Sequence, residues 1–253
     1  MPAPDRRPIG LSVRSAVSFL TTVPVGGHSD LGASDIGRGA IFFPVVGALL
    51  GGAAALVAWA VSLALPVTIA ALASVATSAL LTGALHLDGL ADTADGYGAR
   101  TRARALAIMQ EHSVGAYGVV ALILDVGLRT AAISTLLVRP RSLLYLVAAG
   151  ALSRSVSLGL GALLPHARAD GGFAGVLDRT GGGRAAVTIV VGAAIAALSV
   201  GGAGAVATVL VAGGAVLWGW HCLRRLGGVT GDTLGAASEG AELIVLVVGA
   251  GLR

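Results

Sequence analysis

Between residues 39 and 87 the chain has no Asp, Glu, Lys or Arg. A soluble domain cannot cover its surface with so long an uncharged stretch, whereas a bilayer requires one. Two helices of roughly 20 residues fit inside it, since each residue rises about 1.5 Å and the hydrocarbon core is about 30 Å thick. Leu65-Pro66 marks the turn between them, because the residue before a proline is pushed out of the helical region. Composition extends the conclusion to the whole chain: 12% of its 253 residues are charged, against roughly 25% in soluble domains. The expected fold is an all-α, polytopic membrane helical bundle of about six to seven transmembrane helices with an interfacial amphipathic helix. It is read as a single integral membrane domain over residues 1–253.

The other segments follow by the same logic. Residues 13 to 24 are apolar but short and contain Arg14, which predicts an amphipathic or re-entrant piece at the interface. Residues 1 to 11 are polar and proline-rich, so no signal peptide is expected. A short basic interfacial helix is expected over 100 to 112, with Arg100, Arg102 and Arg104 available to an anionic ligand or to lipid head groups. Further spans are expected over 114 to 138 and 142 to 164, with a second hairpin over 185 to 223 broken at Gly201-Gly202-Ala203-Gly204. The apolar stretch 243 to 252 is short for a full span, and its status stays open.

Four polar segments then share one side: the N-terminus, 88 to 113, 165 to 184 and 224 to 240. Twelve of the seventeen basic residues, all arginine, fall there; Arg139, Arg141 and Arg253 lie opposite. The positive-inside rule turns the arginine-rich side to the cytoplasm of a bacterial cell membrane. The formal charge of +4 is dispersed between apolar spans, so no nucleic-acid partner is expected. A lone Cys222 excludes an internal disulfide and a thiolate metal site. Small-residue spacings such as Gly47-Ala48-Leu49-Leu50-Gly51 suit helices that approach closely in lipid.

Charge inside the expected spans is sparse and informative. Asp125 and Arg129, at i and i+4, can pair with each other; the alternative has Arg129 reaching a substrate phosphate. Arg154 has no acid within a turn, so it needs a partner on another helix or a bound anion.

The densest charge is Leu87-Asp88-Gly89-Leu90-Ala91-Asp92-Thr93-Ala94-Asp95-Gly96, preceded by His86. In a helix, Asp88, Asp92 and Asp95 project from one face. Three like charges there persist most readily around a hard cation, and all-oxygen ligation points to Mg2+ or Mn2+. A dication, nearby arginines and a base suit phosphoryl-type transfer from a diphosphate. A cation-coupled transporter with intramembrane Asp and Arg is the alternative of another class.

These residues also resemble a known family. His86 to Gly96 is similar to the signature of cobalamin (5'-phosphate) synthase, or adenosylcobinamide-GDP ribazoletransferase. The likeness continues through Ile108-Met109, Gly115-Ala116-Tyr117-Gly118 and Gly227-Gly228-Val229-Thr230-Gly231-Asp232-Thr233-Leu234-Gly235-Ala236-Ala237 with Glu239 and Glu242. Thr22-Val23-Pro24-Val25 and Phe43-Pro44-Val45-Val46-Gly47 are similar too. The resemblance implies a Mg2+-dependent membrane transferase that joins adenosylcobinamide-GDP to alpha-ribazole or its 5'-phosphate and releases GMP. It implies a metal on Asp88, Asp92, Asp95 and Glu111, with Asp232, Glu239 and Glu242 completing the metal or acceptor site. Arg100, Arg129 and Arg154 are the expected substrate-binding arginines; His86 or an aspartate of the cluster is the expected base. The chain departs from the family pattern at Gln110-Glu111-His112 and around 176 to 184. A CDP-alcohol phosphotransferase is a second enzyme reading, but its Asp-x-x-Asp-Gly pattern differs from the one here. Membrane lipid is an expected partner, and a homo-oligomer stays open.

Overall fold

The computed structural model describes residues 9–25, 33–111, 113–139, 142–168 and 181–252. The proline-rich start, Arg141, the tip of the 165 to 184 loop and Arg253 lie outside them. Helix α1 (Ile9–Leu20) precedes α2 (Ala33–Gly39), which runs through a 3-10 turn into α3 (Phe43–Ser62). Then come α4 (Val67–Thr82), α5 (Leu85–Tyr97), α6 (Arg102–Ile108), α7 (Ala116–Leu137), α8 (Leu144–Leu163), α9 (Gly181–Val200), α10 (Gly202–Leu226) and α11 (Gly231–Gly251). Six of the described helical stretches are long and apolar enough to cross a bilayer: Asp35–Ser62 and those of α7 to α11.

A seventh candidate crossing is α4, which is long and apolar enough only when taken together with α5. It is capped by Pro66, as the Leu65-Pro66 turn predicts, but ends after 16 residues. There Gly83 and Ala84 both adopt left-handed φ, at 60° and 57°, and the chain turns by 93° into α5. The acidic stretch is therefore helical, but α5 lies across the face of the bundle outside the spans.

The last segment is longer than its apolar part suggests. Helix α11 has 21 residues and takes in Asp232, Glu239 and Glu242, so the polar stretch over 224 to 240 is a loop only between Leu226 and Gly231. Its two glutamates are tolerated because they meet arginines on α7 and α8. The interfacial helix expected over 100 to 112 is also shorter, Arg102–Ile108.

Small residues bring the spans together. A Cβ on Gly47 would lie 2.0 Å from the Gly150 carbonyl oxygen, and one on Gly51 would lie 2.0 Å from that of Leu146. Backbone contact of this kind between α3 and α8 is the packing that Gly-x-x-x-Gly spacing allows where lipid offers no hydrophobic drive. Helix α8 is the hub, packed by α3, α9 and α11. The N-termini of α7 and α11 both meet α5, so the starts of the odd-numbered spans α3, α7, α9 and α11 share its face. At the opposite face Arg139 Nη1 donates to the Leu252 carbonyl at 2.8 Å.

Candidate active site

Helix α5 is held by close approach on one side and by a carboxylate on another. A Cβ on Gly89 would lie 2.8 Å from the Asp232 carbonyl oxygen, and Gly235 is backed by the His86 backbone. This glycine pair lets α5 cross the first turns of α11, which brings Asp88 beside Asp232. Asp95 turns the other way: the Gly115 N–H donates to its Oδ2 at 2.6 Å and the Gly118 N–H to its Oδ1 at 2.9 Å. Asp95 thus caps the N-terminus of α7, where unpaired N–H groups and the helix dipole favour an anion. Side chains at Gly115 or Gly118 would come within 2.5 Å of its oxygens, which accounts for Gly115-Ala116-Tyr117-Gly118.

The second motif is a turn with assigned parts. Gly227 ends α10 with φ 75°. Gly228 leaves room for a crossing chain, since a Cβ there would lie 2.2 Å from the Pro165 carbonyl oxygen. Thr230 caps α11 in a reciprocal capping box with Thr233, a pairing that satisfies two orphan N–H donors. Asp232 Oδ2 accepts from Arg168 Nη2 at 2.9 Å.

The crossing chain is the strap over residues 165 to 168. The Val229 N–H donates to the Pro165 carbonyl and the Ala167 N–H to the Val229 carbonyl, both at 2.9 Å. Arg102 Nη2 donates to the Ala167 carbonyl at 3.0 Å, and Arg225 donates to the Ala99 carbonyl. Two of the arginines on this face therefore staple loops together.

These parts enclose a cavity of about 280 Å³ lined by His86, Asp88, Arg154, His166, Arg168 and Asp232, with an apolar wall that includes Phe19 and Phe43. The two phenyl rings stack with centroids 5.8 Å apart. Below it lies a buried ion network. Arg129 Nε pairs with Asp125 at 3.0 Å, so the expected internal pair forms, and Arg129 also holds Glu239 and Glu242. Arg154 finds its acid on α11: Nη1 pairs with Glu242 and donates to Ser153 Oγ at 2.7 Å. Arg129, Glu239 and Glu242 thus shape the base of the site through one another, and of this network only Arg154 lines the cavity.

The four carboxylates expected to share a metal do not converge. Asp95 serves α7, and Glu111 pairs with Arg104 at 3.1 Å on an exposed surface. Among the described residues no group of three His, Cys, Asp or Glu is arranged to hold an ion. Asp88 and Asp232 do share the cavity, and Asp92 follows Asp88 by one turn. Partial burial, then Asp88, Asp232 and Asp95, push the Asp92 carboxyl up to about 6. Crowded carboxylates with oxygen donors only fit a hard dication, which would relieve that repulsion. Arg100 is exposed in the turn after α5. His166, Arg168 and Ser157 also line the cavity; the first two lie on a short strap that carries no periodicity by which to find them, and Ser157 is one of several serines on α8.

Helical spans, a tilted acidic helix and a cavity with carboxylates at one face define a polytopic membrane protein with an enzyme-like site. The profile of a family described as Cobalamin-5-phosphate synthase matches residues 12–250, and the chain belongs to that family. Among its curated relatives, the adenosylcobinamide-GDP ribazoletransferase of Bradyrhizobium diazoefficiens is 39% identical over 244 residues, 95% of this chain and 94% of the relative. That of Leptothrix cholodnii is 37% identical over 241 residues, 90% of each. The Azorhizobium caulinodans protein of the same name is 44% identical over 169 residues, 64% of each. No solved structure matches the chain.

Proposed function

We propose that this chain transfers the adenosylcobinamide phosphoryl group from adenosylcobinamide-GDP to a hydroxyl of alpha-ribazole or its 5'-phosphate, releasing GMP. The observation that carries the reading is the meeting of Asp88 and Asp232, from two separate motifs, at one cavity with Arg154 beneath. An acceptor hydroxyl attacks the phosphorus on the cobinamide side; the bond from that phosphorus to the oxygen of the GMP phosphate breaks, and GMP leaves with that oxygen. Asp88 and Asp232, with Asp92 beside them, would hold Mg2+, which when bound neutralises charge on the diphosphate and the departing GMP. A carboxylate of the cluster, with Asp92 the nearest to Asp88 and Asp232, takes the proton of the attacking hydroxyl. Asp95 positions α5 against α7.

Orientation follows from charge. Of the described arginines, Arg14, Arg38, Arg100, Arg102, Arg104, Arg168, Arg184, Arg224 and Arg225 lie on the side of the site and Arg139 on the other. By the positive-inside rule the cavity opens to the cytoplasm, where nucleotides are found. Purified protein given both substrates is expected to release GMP only with Mg2+. Asp88→Asn is expected to lower that rate at least about 100-fold, in line with the loss of a charged group that acts in the transition state. Metal-independent release, or full activity in the variant, would sink the assignment.

A further inference from the structure

The strap at residues 165 to 168 does more than close the fold. It is bridged in parallel to Val229 at His166 and bends at Ala167 and Arg168. Ala167 packs into a small cluster with Ala105, Met109 and Leu226. His166 and Arg168 both line the cavity. Among the described residues neither ring nitrogen of His166 has a partner, nor does Arg168 Nε, and all three are buried. His86 Nδ1 and Arg154 Nε, from two further lining residues, are also buried without a partner. Each unsatisfied buried polar group costs about 1–3 kcal/mol. The Nε of Arg154 and of Arg168 are donors and a neutral His166 ring supplies one more N–H, so these residues around one cavity suit a ligand with acceptor oxygens.

We propose that His166 and Arg168, the latter also paired with Asp232, form a phosphate-monoester subsite beside the carboxylates that holds the 5'-phosphate of the acceptor nucleotide. The inference rests on the transferase reading above. The cavity, about 280 Å³ and open on one side, does not enclose a corrinoid macrocycle with its nucleotide. It can take the smaller acceptor, whose flat apolar base suits the Phe19 and Phe43 wall. The donor then meets the cavity only through its diphosphate, on the side of Asp88 and Asp232.

The test measures GMP release at saturating adenosylcobinamide-GDP while varying either alpha-ribazole or its 5'-phosphate, for the wild type, His166→Gln and Arg168→Lys. Loss of a hydrogen bond to a charged group is expected to raise the KM for the phosphorylated acceptor about tenfold or more. The kcat, and the KM for the free nucleoside, are expected to stay within about twofold for His166→Gln, which also shows that this variant is folded. Equal losses with both acceptors, a rise confined to the donor KM, or no change would each overturn the subsite. If the wild type releases no GMP with either acceptor, the transferase reading fails on its own. Calorimetric titration of ribose 5-phosphate then reads the subsite separately: binding by wild type that is lost in His166→Gln supports it, and equal or absent binding overturns it.

Discussion

Ala84 carries a side chain at φ 57°, directly after Gly83 at φ 60°. A left-handed residue other than glycine costs about 1–2 kcal/mol, and here the cost is borne at the bend that turns α5 across the bundle. Ala84→Gly relieves the strain but loosens the unfolded chain, which takes back about 0.4–1 kcal/mol. The expected net gain is roughly 0.5–1 kcal/mol, seen as a rise of a few degrees in Tm; a fall in Tm would show that the bend is not strained. At this scale the sequence was partly legible. Spacing put three aspartates on one helical face, but it could not show that Asp95 is taken by N–H groups 20 and 23 residues later. Nor could it show that Glu111 is turned outward to Arg104.

Between elements, the strongest ties are buried charges drawn from different helices. Arg129 on α7 and Arg154 on α8 meet Glu239 and Glu242 on α11, at separations of 110, 113 and 88 residues. Removing one partner of a buried pair is destabilising by about 3–5 kcal/mol, because the other charge is left uncompensated. Glu242→Gln is the telling case: Arg129 keeps Asp125 and Glu239, but Arg154 loses its carboxylate partner. The expected outcome is a large drop in Tm in detergent, and a shift of under about 0.5 kcal/mol would place the network outside the stabilising core. Hydropathy alone misjudged α11 for the same reason. Two glutamates read as loop until their partners, far away in sequence, are known.

For the molecule as a whole, uncharged runs located the spans well, because lipid leaves backbone groups few alternatives to a helix. The shape of the site was less legible, since it depends on one bend, one strap and two glycine crossings. Sidedness can be tested directly. Cys222 is buried, so single cysteines can be introduced against a quiet background. Leu63→Cys, in the exposed turn after α3, is expected to react with a membrane-impermeant thiol reagent on intact cells. Arg104→Cys, on the side of the site, is expected to react only after the cells are opened. The reverse pattern would turn the cavity outward.

The long reach of the ion network also sets an order of manufacture. A ribosome delivers Arg129 and Arg154 to the membrane well before it has made Glu239 and Glu242. Arg129 can wait, because Asp125 emerges one turn ahead of it and neutralises it within its own helix. Arg154 has no such companion and stays unmatched until α11 arrives, and the same late helix brings Asp232 to Asp88. Assembly and chemistry are therefore completed by one event: a nascent chain stopped short of α11 holds most of its spans but neither a settled interior nor a working site.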